Sequence, residues 1–171
     1  LNDRGFVTLT HTTVADNTAA SAGAGIDSSG GTLTLTNSIV AGNTAASAPD
    51  VSGTVVSGGT NLVGKTDGSS GWLFSDLTGT VASPLDAQLA ALAPNVAAPP
   101  TMALLPGSPA INAGSNALLN GLPTDQRGSG FNRIAGGTVD IGAFEIQSHP
   151  PAAPTADSLT TTNTTPTLAG T

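Results

Sequence analysis

Five residues near the C-terminal end have the types that do chemistry. Asp125, Arg127, Arg133, Asp140 and Glu145 set three carboxylates and two guanidiniums within 21 residues. Acids in such a cluster could form a carboxylate pair for sugar chemistry, or an oxygen-ligand site for calcium. The competing reading is structural: arginine forks match carboxylates, so the five groups can neutralise one another in buried bidentate pairs that fix loops. The chain has only four Lys and Arg, and half of them lie beside these acids. That supply favours ion pairs over catalysis and requires no cofactor, with calcium as the alternative.

The elements that must position these groups are written at the other end. Residues 7–18 read VTLTHTTVADNT, and residues 33–44, 26 positions later, read LTLTNSIVAGNT. Thr8, Leu9, Thr10, Val14, Ala15 and residues 17–22 all recur at that offset. Repeats of 20–50 residues point to stacked, solenoidal architectures. Within each copy the pattern has period two, with Val7/Leu9 and Leu33/Leu35 on one face and Thr8/Thr10 and Thr34/Thr36 on the other. This is the signature of strands with one buried face. No stretch there keeps a helical apolar stripe, so short strands separated by Gly and Asn turns, paired in parallel from copy to copy, fit best. VSGTVV (51–56) followed by NLVG (61–64) makes a third, degenerate copy.

Stacking in register would give an outward Thr array and an Asn ladder at Asn17 and Asn43. A Thr array can order water, but Thr is also an ordinary outward strand residue. The ladder reads as structural. His11 has Asn37 as its counterpart, a swap that suggests a tolerant surface or turn position. No Gly-x-Ser-x-Gly elbow, phosphate loop, His-Glu-x-x-His motif or Gly-Gly-x-Gly-x-Asp calcium repeat occurs.

Composition narrows the classes. The net charge is −7, and 9% of residues are charged against 38% apolar. So few cations, none clustered, argue against nucleic acid and against an anionic membrane surface. The apolar set is mostly Ala, Val and Leu, which suits a thin, regular core. There is no Cys and no apolar run of membrane-spanning length, so no membrane insertion is expected.

LTLTNSIVAGNT with PDVSGTVVSGGTNLVG is similar to the last coils of right-handed parallel β-helix proteins with polymorphic-outer-membrane-type repeats. SPLDAQLAAL, TMALLPGSPAINAGS and TDQRGSGFNRIAGGTVDIGAFE resemble the choice-of-anchor Q module. One departure is PNVAAPPT (94–101), where that family commonly has an Asn-Gly-Gly-Pro-Thr element. PTADSLTTTNTTPTLAGT resembles the opening of a bacterial immunoglobulin-like repeat.

The expected fold is therefore all-β, a right-handed parallel β-helix. Residues 1–64 would form its terminal coils, 65–147 the final coils and a capping module, 148–154 a Pro-rich linker, and 155–171 a truncated immunoglobulin-like repeat. Within the capping module, Leu85, Leu89 and Leu92 suggest a short helix and Asn120-Gly121 a tight turn. Val139, Ile141 and Phe144 suggest a final strand, and Trp72 should lie under the cap. The resemblance implies a non-catalytic structural or adhesive module of a large secreted or cell-surface bacterial protein. Its partners would be preceding coils, following immunoglobulin-like domains, and a surface glycan or protein. The alternative is a carbohydrate-active or glycan-binding β-helix, for which the coils supply Asp16, Asp27 and Asp50 but little base. Exposed aromatics for glycan stacking would have to be Phe6 and Trp72.

Overall fold

The computed structural model describes residues 2–96 and 99–147. The stretches read as a Pro-rich linker and an immunoglobulin-like start lie outside the described residues.

The alternating segments form eight strands: β1 (Phe6–Thr10), β2 (Thr13–Ala15), β3 (Ile26–Thr36), β4 (Ile39–Ala41), β5 (Val51–Gly59), β6 (Leu62–Val63), β7 (Ser69–Ser70) and β8 (Leu77–Thr78). Odd strands build one four-stranded parallel sheet in the order β1-β3-β5-β7, and even strands build a second in the order β2-β4-β6-β8. Each circuit of chain thus adds one strand to each sheet, and we call such a pair a rung. Between the first two rungs the register equals the sequence repeat: Leu9 faces Leu35, and Val14 faces Val40. Isolated parallel bridges at Thr18–Thr44 and Ala22–Ser47 carry the register beyond the strands.

Period-two alternation decides which side chains meet. Leu33, Leu35, Val40, Val51, Val55 and Val63 pack between the sheets, with Trp72 half-buried against them. Ile39, Ala41 and Leu62 point the other way from the second sheet, into an apolar layer with Ala87, Leu104, Ala110 and Ile141. The second sheet is therefore covered on both faces, as parallel sheets usually are. That is why Ile39, Val40 and Ala41 are all buried.

What covers that outer face is the flank, residues 84–96 and 99–147, built of turns and isolated bridges. It flanks the second sheet, so Ile141 packs with Ile39 and Leu62, and the Ala143 amide donates to Thr13 Oγ1 on the first rung (3.0 Å). The helix expected over Leu85–Leu92 does not form. Gln88 has φ +49°, and antiparallel bridges Leu89–Leu104 and Ala93–Thr101 take the backbone instead. Leu85 and Leu89 reach the apolar layer, but Leu92 is 67% exposed. Among the described residues the one helical turn is a 3-10 turn at Asn116–Leu118.

The expected strand at Val139–Phe144 is also absent. Val139 and Ile141 are fully buried, but no strand among the described residues runs beside them. Asn120 (φ +50°) and Gly121 (φ +77°) do make a tight turn, closed by the Leu122 amide on the Leu119 carbonyl (3.1 Å). No helix among the described residues is long and apolar enough to cross a membrane.

Among the described residues no strand pairs beyond the fourth rung, and that edge is blunted by shortness. β7 and β8 are two residues each, against 11 in β3, one of the ways sheets discourage edge-to-edge association.

Candidate functional site

The five charged residues converge on the flanking segment, and each has a distinct set of partners. Asp125 begins a loop held by the Asp125 amide on the Phe131 carbonyl (2.9 Å) and by a Thr124–Asn132 bridge. Its Oδ1 accepts the Arg127 amide two residues on (2.8 Å), an Asx-type turn. That turn folds Arg127 back so that Nε and Nη2 meet Asp125 Oδ2 at 3.0 and 2.6 Å. The pair is buried, and the guanidinium lies between the Phe131 and Phe144 rings, 4.0 and 3.8 Å from their centroids. Arg127 Nη2 also donates to the Glu145 carbonyl (2.5 Å), and the Glu145 amide donates to Asp125 Oδ2 (2.9 Å).

Arg133 does not follow the expected pattern of carboxylate pairing. It is 1% exposed, and the two protons of its Nη2 are shared among three acceptors, the Asp140 carbonyl (2.9 Å), the Gly142 carbonyl (2.5 Å) and His11 Nδ1 (2.8 Å). Its Nε and Nη1 are buried without a hydrogen-bond partner. The carboxylates it was expected to bind have found backbone amides instead. Asp140 accepts from Asn112 (2.7 Å) and Ile146 (2.7 Å), and Glu145 from Ala135 (3.0 Å) and Asp140 (2.8 Å). The interaction between Arg133 and these acids is through space.

Burial sets the titration of the cluster. Desolvation raises Asp140 and pushes Glu145 up to about 7, because little water is left to solvate their charge. The same cause lowers Arg133, opposed by the nearby charges of Glu145, Asp125 and Asp140. Every carboxylate oxygen of Asp125, Asp140 and Glu145 has a protein donor. Among the described residues no group of three or more His, Asp or Glu side chains is arranged to hold a metal ion.

The stacked positions form two corner columns. At the second corner, the Asn17 amide and its Nδ2 both donate to Asn43 Oδ1 (3.0 and 2.9 Å). Asn43 in turn donates from both nitrogens to Asp50 Oδ1 (3.0 and 2.9 Å). At the first corner the same device runs Thr12 to Ser38 Oγ, Ser38 to Asn61 Oδ1, and Asn61 to Asp76 Oδ1 (2.9–3.1 Å). Both columns end on an aspartate, which accepts but cannot donate.

The threonines do not make an exposed array. Thr8 is exposed and Thr10 and Thr34 half-buried, whereas Thr36 is buried.

His11 was the residue sequence reasoning missed. It occupies a turn position with φ +51°, yet is 7% exposed, because the flanking segment lies over it. Asn37 (φ +47°) and Thr60 (φ +53°) hold the same left-handed corner on the next rungs. Asn37 also reaches the flank, accepting the Ser115 amide on Oδ1 (2.9 Å) and donating to the Ser115 carbonyl (3.0 Å). The His-to-Asn swap therefore marks two residues that both dock the flank. The only signal for this in the sequence was their shared place in the repeat.

Compared with family models, curated proteins and solved structures, the chain gives no match.

Proposed function

We propose that this chain is the end of a right-handed parallel β-helix and serves as a non-catalytic structural or adhesive module of a large secreted or cell-surface bacterial protein. The observation that carries this reading is the identity of sequence repeat and strand register between the first two rungs, where residue i packs on residue i+26 in both sheets. Two sheets visited alternately by one chain, all pairing in parallel, are what stacked coils require. Parallel crossovers within a sheet are right-handed in the great majority of cases, which supports that hand. The motif resemblance to polymorphic-outer-membrane-type repeats and the choice-of-anchor Q module agrees with this architecture. In such a protein the module presents preceding coils and joins them to immunoglobulin-like repeats.

The wiring of the acidic cluster agrees with a mechanical role. The acids that could have been catalytic are committed to backbone amides and to Arg127. On the upstream side, no strand among the described residues pairs with the outer edge of β1, Phe6 is 89% exposed, and Val7, Leu9 and Val14 are incompletely covered. Another coil with the same alternation would complete that layer.

The test is to insert one more copy of residues 23–48. A β-helix accepts it as an extra rung, with cooperative unfolding retained and the particle lengthened by about 4.8 Å in small-angle scattering. Loss of cooperative folding would overturn the architecture. Release of reducing ends from any polysaccharide would overturn the non-catalytic role and favour the carbohydrate-active alternative.

A further inference from the structure

His11 and Arg133 are 122 residues apart in sequence, yet they join the first rung to the flanking segment by one buried hydrogen bond of 2.8 Å. A guanidinium only donates, so His11 Nδ1 must accept, and the ring proton must sit on Nε2. That assignment agrees with a backbone hydrogen bond from the ring to Leu118. The neutral ring is thus held at Nδ1 by the flank's arginine, while Nε2 lies beside the Leu118 backbone and 3.3 Å from Asn37 Nδ2; a neutral ring has one accepting nitrogen, and the shorter Arg133 contact takes it. A second proton on the ring would set N–H against N–H at the Arg133 contact and two cations side by side. A cavity of about 220 Å³, lined in part by Thr10, His11, Gln126 and Arg133, reaches both partners of the contact.

We propose that the His11–Arg133 contact is an acid-released clasp, whose protonation frees the Arg133–Ala143 stretch of the flank from the first two rungs while the sheets stay paired. The groups at stake adjoin it. Arg133 binds the carbonyls of Asp140 and Gly142, the Gly142 amide bonds the Asn37 carbonyl (2.9 Å), and the Ala143 amide bonds Thr13 Oγ1. Gly142 fits only because it lacks a side chain: a Cβ there would lie 2.7 Å from both Ile39 Cδ1 and Thr13 Oγ1. Loss of the Arg133 anchor therefore loosens the closest contact between flank and sheet.

The charged groups facing the clasp are Arg133 against the ring, with Glu145, Asp125 and Asp140 behind Arg133 and Arg127 bound to Asp125. Burial, and then the charge of Arg133, depress His11 from 6.5 to about 4. A depressed base contributes stability above its unfolded value and loses it as pH falls through the folded one, so the clasp is intact above about 6.5 and opens near 4. Glu145, at about 7, gains its proton first as pH falls, which removes a charge that favours Arg133 and leaves the two cations less compensated.

The experiment follows the His11 ring protons by NMR while measuring amide exchange from about pH 8 to about pH 3, corrected for intrinsic exchange. His11 should titrate with a midpoint near 4, and the Gly142 and Ala143 amides should lose protection by about tenfold or more with the same midpoint. The Leu62 amide, bonded to the Ser38 carbonyl within the rungs, should keep its protection there. In His11→Asn, which carries the side chain of its repeat counterpart and cannot titrate, the acid step at Gly142 and Ala143 should vanish. A wild-type His11 midpoint near 6.5, protection at Gly142 that survives the His11 titration, simultaneous loss at Leu62, or an acid step retained in His11→Asn would each overturn the clasp. Should His11→Asn fail to fold, the wild-type titration and exchange still decide.

Discussion

The rungs (residues 6–79) and the flank (residues 84–96 and 99–147) face the same physical demand and meet it by opposite means. Interior backbone amides and carbonyls must be hydrogen-bonded, because an unpartnered one costs about 1–3 kcal/mol. In the rungs, neighbouring strands supply the partners, so side chains are free to be small, apolar and repetitive. Leu33, Leu35, Val40 and Val55 do nothing but fill space. In the flank there is no ladder of strands, and side chains stand in for one. Asp140 and Glu145 each gather two amides, while Arg133 gathers two carbonyls and Arg127 one. Buried charge in this protein thus marks irregular backbone. Even within the rungs, side-chain partners concentrate where strands stop, at the two corner columns.

Three substitutions test that contrast, in descending order of effect. Arg127→Ala strands the buried Asp125 carboxylate and the Glu145 carbonyl, and should cost about 3–5 kcal/mol in denaturant unfolding, with amide protection lost first in the flank. An unchanged midpoint would mean that the flank does not depend on its charges. Asn43→Ala removes the middle of a corner column, leaving the Asn17 amide without its acceptor and Asp50 Oδ1 with only the backbone amide of residue 43 as donor. A loss of about 1–3 kcal/mol is expected, and a loss as large as that of Arg127→Ala would erase the distinction between self-sufficient and side-chain-dependent regions. Asp50→Asn should be the mildest, raising stability by up to about 1 kcal/mol at neutral pH. Asp50 Oδ2 is buried without a partner, and burial raises the group's pKa. A raised acid loses stability as pH climbs through its folded value, so the advantage of Asn should shrink in acid. Melting curves at neutral and acid pH check the sign, and destabilisation at neutral pH would show that the column needs the carboxylate's charge.

The rungs were legible in the sequence because a stack gives residues 26 apart the same environment. Leu9 and Leu35 are alike because they face one another. The acidic and basic composition of the flank was legible too, but not its wiring. Arg133 found carbonyls and a histidine where carboxylates were expected, since its acids lie among amides that bind them first. The Leu85–Leu92 stripe satisfied helical spacing, yet Leu89 and the adjoining Ala93 are committed to antiparallel bridges with Leu104 and Thr101, which lie beyond the reach of a helical pattern. His11 looked tolerant because a repeat reports what the rungs share, and the flank covers each rung differently.

Sequence by itself determined the strands of the first three rungs, their two-residue alternation and the 26-residue register of the first two. These follow from local pattern and from repetition, both of which a chain carries in one dimension. Tertiary structure alone decided that the C-terminal segment lies along the second sheet, that Ile39 and Ile141 share a layer, and that His11 meets Arg133. Those contacts join unlike segments across more than a hundred residues. No periodicity encodes them, and burial, the property that gives His11, Glu145 and Arg133 their altered titration, exists only once the two regions are together.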